Sequence, residues 1–180
     1  MLQYYGADPE FSLEGKTAVI TGGAAGIGYE TAKFFAKKGV NLVLADLDPG
    51  VDEIAKELES RVVGIAVDVT NGAYRQSVVD LGVKQFGQID ILVNCAGIVA
   101  LEKAELISES DWDRTMNINL KSSFMMAQLL GKYFIDNHVN GSIVNIASQA
   151  GVIALDKHVA YCAAKGGIIA MTKVMALEWG

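Results

Sequence analysis

The sequence is poor in the residues that build cross-links and metal centres. Its 2 cysteines, Cys95 and Cys162, stand far apart and outside any C-x-x-C pair. Neither a disulfide framework nor a zinc cluster is therefore expected, and both thiols read as small buried side chains. With only 2 histidines, His138 and His158, a metal site would need several carboxylates around them, and no metal is expected. Basic charge is also scarce: 15 Lys and Arg stand against 21 Asp and Glu, giving a net charge of -6 with no clustered basic face. That excludes a nucleic-acid partner that is gripped through its phosphates. Residues 1–12 lack the basic start and apolar core of a signal peptide, and no apolar run approaches the ~18 residues that span a bilayer. No membrane partner and a cytoplasmic location are the expectations. Internal repeats, low-complexity tracts and linkers are missing as well.

What is present is a chain of 180 residues, 51% hydrophobic, long enough for one domain over 1–180 with a real core. After a loosely held arm over 1–12, residues 17–20 form a short apolar run of the kind buried on both faces of a parallel sheet. Thr21-Gly22-Gly23-Ala24-Ala25-Gly26-Ile27-Gly28 follows, then Ile27, Thr31, Phe34, Phe35 and Lys38 at helical spacing, with Gly39 as the stop. Further strands are predicted over 41–45, 62–67, 89–93 and 143–147, and helices over 51–60, 73–86 and 161–179. A long helical region runs from the start signal at Ser108 to His138. Strands alternating with helices predict a doubly wound α/β sheet with right-handed crossovers.

In such a sheet, ligands sit beyond the carboxyl ends of the strands, and the special residues of this chain fall there. Glycines without a Cβ let the 21–28 turn approach a pyrophosphate, while the unpaired N–H groups of the next helix favour negative charge. The glycines at 22, 26 and 28 do not follow the common G-x-G-x-x-G spacing. Asp46 closes the second strand near the ~20-residue distance expected of an acid that binds an adenosine ribose. An acid there repels a 2′-phosphate, so NAD is favoured over NADP. Beyond the fifth strand come Ser148 and then Tyr161 and Lys165, four apart and so on one helix face. A tyrosine, which ordinarily titrates near ~10, becomes a usable base beside a cation that favours its phenolate.

Thr21-Gly22-x-x-x-Gly26-Ile27-Gly28, Asp68-Val69, Asn94-Cys95-Ala96-Gly97, Asn119, Ser148 and Tyr161-x-x-x-Lys165 together resemble the short-chain dehydrogenase/reductase family. The resemblance implies oxidation of an alcohol, or reduction of a carbonyl, with a nicotinamide cofactor. It implies that Tyr161 is the general base, that Ser148 holds the reacting oxygen, that Lys165 binds the nicotinamide ribose and assists Tyr161, and that Asn119 positions a relay water. Asp68 and Val69 would flank the adenine, and Asn94, Ala96 and Gly97 would line the middle of the cofactor. In the family, Cys95 would be a second Asn, a mild change at a position that mainly supports the fold.

The resemblance also implies a sixth strand, a Pro-Gly turn, a substrate-covering segment and a seventh strand, which would come after Gly180. The expectation is a Rossmann-like sheet lacking the family's last two strands, a fragment with weak activity of its own, and a fifth strand left as an apolar edge. Gln149, Val152, Ile153 and His158 near Tyr161 suit a polyol or sugar-like alcohol. The alternative is a truncated NAD-binding module acting as a sensor or partner domain; a methyltransferase would not need the Tyr and Lys pair. Apolar surface on the long helical region and the last helix predicts a homo-oligomer, a dimer or tetramer.

Overall fold

The computed structural model describes residues 12–58 and 61–180. The expected arm over 1–12 and the end of the 51–60 helix lie largely outside them. In chain order the elements are β1 (Thr17–Thr21), α1 (Gly26–Ala36), β2 (Asn41–Asp46), α2 (Val51–Lys56), β3 (Val62–Ala66), α3 (Gly72–Phe86) and β4 (Ile91–Asn94). Then follow α4 (Glu109–Met116), a π-helical stretch (Asn117–Lys121), α5 (Ser122–Asp136), β5 (Ser142–Asn145), a 3-10 turn (Gln149–Gly151) and α6 (Val159–Trp179). The strands form one parallel sheet in the order β3-β2-β1-β4-β5. Strand order therefore reverses between β1 and β4, and the crevice expected of a doubly wound sheet opens there.

Successive side chains of a strand point to opposite faces, and the core divides accordingly. Ala18, Ile20, Leu42, Leu44, Ile91 and Val93 pack against Ala32 and Ala36 of α1 and Val51 and Ala55 of α2. Val19, Val43, Ala45 and Leu92 pack on the other face against Val78 and Val79 of α3, Met126 and Leu130 of α5 and Met175 of α6. Each large apolar side chain so buried contributes roughly 1.5–3 kcal/mol. β1, β2 and β4 are thus covered on both sides, which explains their unbroken apolar runs.

β5 differs. It pairs with β4 alone among the described residues, and Val144, in register with Val93, is 45% exposed. The face it shares with Val93 is the one that α1 and α2 cover over β1 and β2, and neither helix reaches β5. An apolar edge was the expectation for this strand, and it is what the sheet presents.

Two expectations gain detail. The long helical region expected from Ser108 to His138 is present as α4, the π-helical stretch and α5. Ser108 caps α4, its Oγ accepting from Asp111 N at 3.1 Å, but the ladder widens over Asn117–Lys121. Ser122 Oγ and Ser123 Oγ donate to the carbonyls of Ile118 and Asn119, at 2.6 and 3.0 Å, and such back-bonding competes with the helical ladder. Secondly, α6 has 21 residues and, although its apolar run is interrupted by lysines, is long and apolar enough to cross a membrane by length and composition. Its only charges before Glu178 are Lys165 and Lys173, and Ala160, Ala164, Lys165, Ile168 and Met175 are buried within the protein while Val174 and Leu177 are exposed.

Candidate active site

The crevice between β1 and β4 is a groove of about 460 Å³. Its floor is the glycine turn. Gly22 takes φ 66°, and a Cβ on it would lie 2.9 Å from the Ala96 backbone, so only glycine lets the two strand ends meet. A Cβ on Gly28 would collide with the Gly22 carbonyl. Thr21 fastens the same junction: its Oγ1 accepts from Cys95 N at 3.2 Å and Ala96 N at 3.3 Å. Backbone and glycines therefore make the cradle, and adding a Cβ at either glycine would fill it.

Asp46 stands at the rim. One carboxylate oxygen accepts from Ala24 N at 2.9 Å and the other from Asp48 N at 3.0 Å. This ties the end of β2 to the glycine turn and leaves each oxygen with further acceptor capacity at a residue that lines the groove. Asp68 turns inward on itself, its Oδ1 accepting from Thr70 N and Thr70 Oγ1 at 2.8 and 2.7 Å. Val69 is buried beside it. Gly22, Gly26, Ile27, Gly28, Asp46, Asp68, Val69, Ala96 and Gly97 all line the groove. Asn94 does not: it is buried, its Nδ2 donating to Ser123 O at 3.1 Å and to Asn145 Oδ1 at 2.9 Å. Its own Oδ1 has no partner. Arg114 and Ile118 also line the groove and were missed from sequence, although their i,i+4 spacing puts them on one helix face.

The second cluster lies where the groove ends at Gly97. A Cβ there would be 2.7 Å from Asn119 Oδ1 and 3.8 Å from Lys165 Nζ, so this glycine marks the meeting of the groove with both side chains. Asn119 is fully buried. Its Oδ1 accepts from Ile98 N at 3.2 Å and its Nδ2 donates to Ile98 O and Thr115 O, at 2.9 and 3.0 Å, so both of its N–H groups are spent on holding the loop after β4.

Lys165 is 5% exposed, and its ammonium donates to Ile146 O at 2.7 Å, stapling α6 to the end of β5. Burial depresses its pKa below the ordinary 10.5, and the neighbouring Cys95 opposes this. Burial pushes the Cys95 thiol up to about 11 against the pull of the same lysine, leaving it protonated at neutral pH. The Lys165 ammonium also lies 5.6 Å from the centre of the Tyr161 ring. Ser148 caps the 3-10 turn through an N–H···O bond of 3.1 Å from Ala150, while its own proton meets no acceptor among the described residues. A Cβ on Gly151 would come within 2.7 Å of the Lys165 carbonyl, so that turn rests directly on α6 beside Lys165. Asn119, Lys165, Tyr161 and the Ser148 turn thus gather at one end of the groove. A larger cavity, about 780 Å³, opens at the far edge of β5 between Phe134, Ile143, Met175 and Trp179, away from this cluster.

Residues 16–180 match the family model described as short chain dehydrogenase. The chain is 47% identical over 179 residues to an "NAD-dependent glycerol dehydrogenase" of Listeria innocua and 44% identical over 182 residues to a "D-threitol dehydrogenase" of Mycolicibacterium smegmatis. Each alignment covers 99% of this chain and 70% of the relative. Among solved structures it is similar to a short chain dehydrogenase from Bacillus anthracis, with a TM-score of 0.90 and 33% identity over 93% of this chain and 69% of the other. A short chain dehydrogenase/reductase from Burkholderia phymatum, solved in complex with NAD, gives a TM-score of 0.88 and 31% identity over 92% of this chain and 60% of the other.

Proposed function

The chain belongs to the short-chain dehydrogenase family, and from that premise we propose that it is an NAD-dependent oxidoreductase acting on a polyol or sugar-like alcohol. The junction at Gly97 carries the reading, because there a glycine-built nucleotide groove opens onto a buried lysine and, beyond it, a tyrosine. The names of the two relatives, a glycerol and a threitol dehydrogenase, support the polyol class. So do the mixed polar and apolar residues Gln149, Val152, Ile153 and His158 near Tyr161.

NAD would lie with its adenine flanked by Asp68 and Val69, its ribose hydroxyls on Asp46 and its pyrophosphate over the glycine turn. Asp46 then disfavours the 2′-phosphate of NADP by like charge. Bound NAD supplies the hydride acceptor. Tyr161 takes the proton of the substrate hydroxyl, with the Lys165 ammonium 5.6 Å from its ring centre. Ser148, with its lone pair engaged by Ala150 and its proton uncommitted, donates to the reacting oxygen. Lys165 holds the nicotinamide ribose. The relay water falls to the remaining lone pair of Asn119 Oδ1, since its N–H groups are engaged elsewhere and its main-chain carbonyl accepts from Ser123 Oγ. Exposed Phe124 and Ile135 of α5 and Val174 and Leu177 of α6 offer apolar surface for packing between copies of the chain.

Purified protein incubated with NAD or NADP and a panel of polyols, sugar acids and hydroxysteroids tests the reading. NAD reduction with at least one polyol is the expected result. Turnover of none of the polyols overturns the substrate class, and NAD binding without any turnover favours a binding module instead.

A further inference from the structure

Beside Tyr161 stands one side chain whose hydrogen-bonding direction is fixed by the fold. His158 closes the loop before α6, and its Nδ1 lies 2.6 Å from the Asp156 carbonyl oxygen. A carbonyl only accepts, so Nδ1 carries the hydrogen and Nε2 of the neutral ring is left as a bare acceptor. The backbone around it is held on both sides. Glu102 N donates to the Lys157 carbonyl at 3.0 Å, Lys157 itself takes φ 61°, and Cys162 N donates to the His158 carbonyl at 2.7 Å. The imidazole meets the Tyr161 ring edge to face, with centroids 6.2 Å apart and planes at 63°. On its other side it lines a cavity of about 530 Å³ together with Lys103, Glu105, Asp156 and Cys162, to which Tyr161 does not contribute. His158 therefore touches both the Tyr161 ring and a second cavity of mixed polar and apolar lining.

Resting on the reading of polyol oxidation above, we infer that His158 determines specificity for diols: its Nε2 accepts a hydrogen bond from the hydroxyl adjacent to the one that Tyr161 deprotonates. A polyol places its second oxygen one carbon from the reacting one, and something must receive it. Gln149 is exposed on a flexible side chain, and Val152 and Ile153 have no polar atom to offer. His158 alone among these wall residues has an acceptor whose orientation is set before substrate arrives. A site that pairs a substrate hydroxyl discriminates against the analogue lacking it, because the site's acceptor is then left unsatisfied. The half-exposed position of His158 makes the expected preference modest, on the order of ten-fold rather than the ~10⁴ of a buried pair.

With only 2 histidines in the chain, ¹⁵N NMR of the labelled imidazoles reads this directly, His138 serving as the reference. At pH 8 and with NAD present, His158 should show a protonated Nδ1 and an unprotonated Nε2, as its bond to the Asp156 carbonyl requires of the neutral ring. Glycerol should shift Nε2, 1-propanol at the same concentration should not, and His138 should respond to neither. In turnover, H158F keeps an aromatic ring against Tyr161 but should lower kcat/KM for glycerol about ten-fold more than for 1-propanol, with H158Q restoring part of the difference. An unprotonated Nδ1, an equal response to both alcohols, or an H158F enzyme that keeps its glycerol preference overturns the inference. If wild-type protein oxidises no polyol, the reading of polyol oxidation fails and the NMR titration still decides whether His158 binds one.

Discussion

The two halves of the sheet's carboxyl rim are built by different means. Over β1 and β2 the site is made of backbone: Gly22 and Gly28 are pressed against neighbouring main chain, and Thr21 and Asp46 accept from main-chain N–H groups. The strands beneath are buried from end to end. Over β5 and α6 the site is made of side chains, Ser148 and Lys165 each held by one bond and Tyr161 by ring contacts, on a strand of alternating exposure whose Val144 faces outward uncovered. A site made of backbone fails by steric collision and takes the fold with it. One made of side chains can lose its chemistry while the fold survives.

The largest effect expected from this contrast is at Gly28. Gly28→Val drives a side chain into the Gly22 carbonyl, and a loss of roughly 3 kcal/mol or more, with no measurable NAD binding, should appear in denaturant melts and calorimetric titration. A well-folded variant of unchanged affinity would break the contrast at its backbone end. Next comes Lys165→Met, which removes a buried cation and leaves Ile146 O without its donor. Turnover should fall by a factor of ~100 or more while stability changes by no more than about 1–2 kcal/mol. A collapse of stability matching the loss of activity would make Lys165 a structural residue.

Asp46→Asn should cost less. The turn keeps an acceptor for one of its two N–H bonds, and the preference for NAD over NADP should narrow by about ten-fold in paired titrations, about 1.4 kcal/mol. The smallest effect concerns Asp90, at the opposite end of the sheet. Burial raises its carboxyl pKa, but Thr17 N–H, the Gln88 amide and the Lys16 ammonium together outweigh this and hold it below the ordinary carboxylate value. A folded pKa below the unfolded one, ~3.9, means stability that is fully present above that pH and is lost as pH falls through the lower folded value. Acid melts should therefore steepen below pH ~4 for wild type and flatten for Asp90→Asn, with NAD affinity unchanged at neutral pH. An affinity change would show that the two ends of the sheet are coupled.

The same contrast explains what could be read from the sequence. The glycine turn, Asp46 and the Tyr161–Lys165 pair are local patterns, set by strand ends and helical periodicity, and the structure places each on the element expected. Strand ends shifted by no more than two residues: β4 begins at Ile91 rather than 89, because Asp90 binds the start of β1 through its side chain and its N–H. The π-helical stretch at Asn119 could not be read, since its cause is two hydroxyls folding back on carbonyls and an asparagine spent on Ile98. Nor could the path from Asn94 through Asn145 to Thr172, bonds of 2.9 and 3.0 Å between residues remote in sequence. Arg114 and Ile118 were within reach, because helical spacing already put them on one face.

The central claim, that the groove passes hydride chemistry to Tyr161 and Lys165 at Gly97, is tested most directly by isotope transfer. Protein mixed with NAD and glycerol deuterated at carbon, with mass spectrometry of the nucleotide, should yield deuterium-labelled NADH for wild type and at least ~100-fold slower labelling for Tyr161→Phe. Unlabelled nucleotide in both, or equal labelling in both, would contradict it.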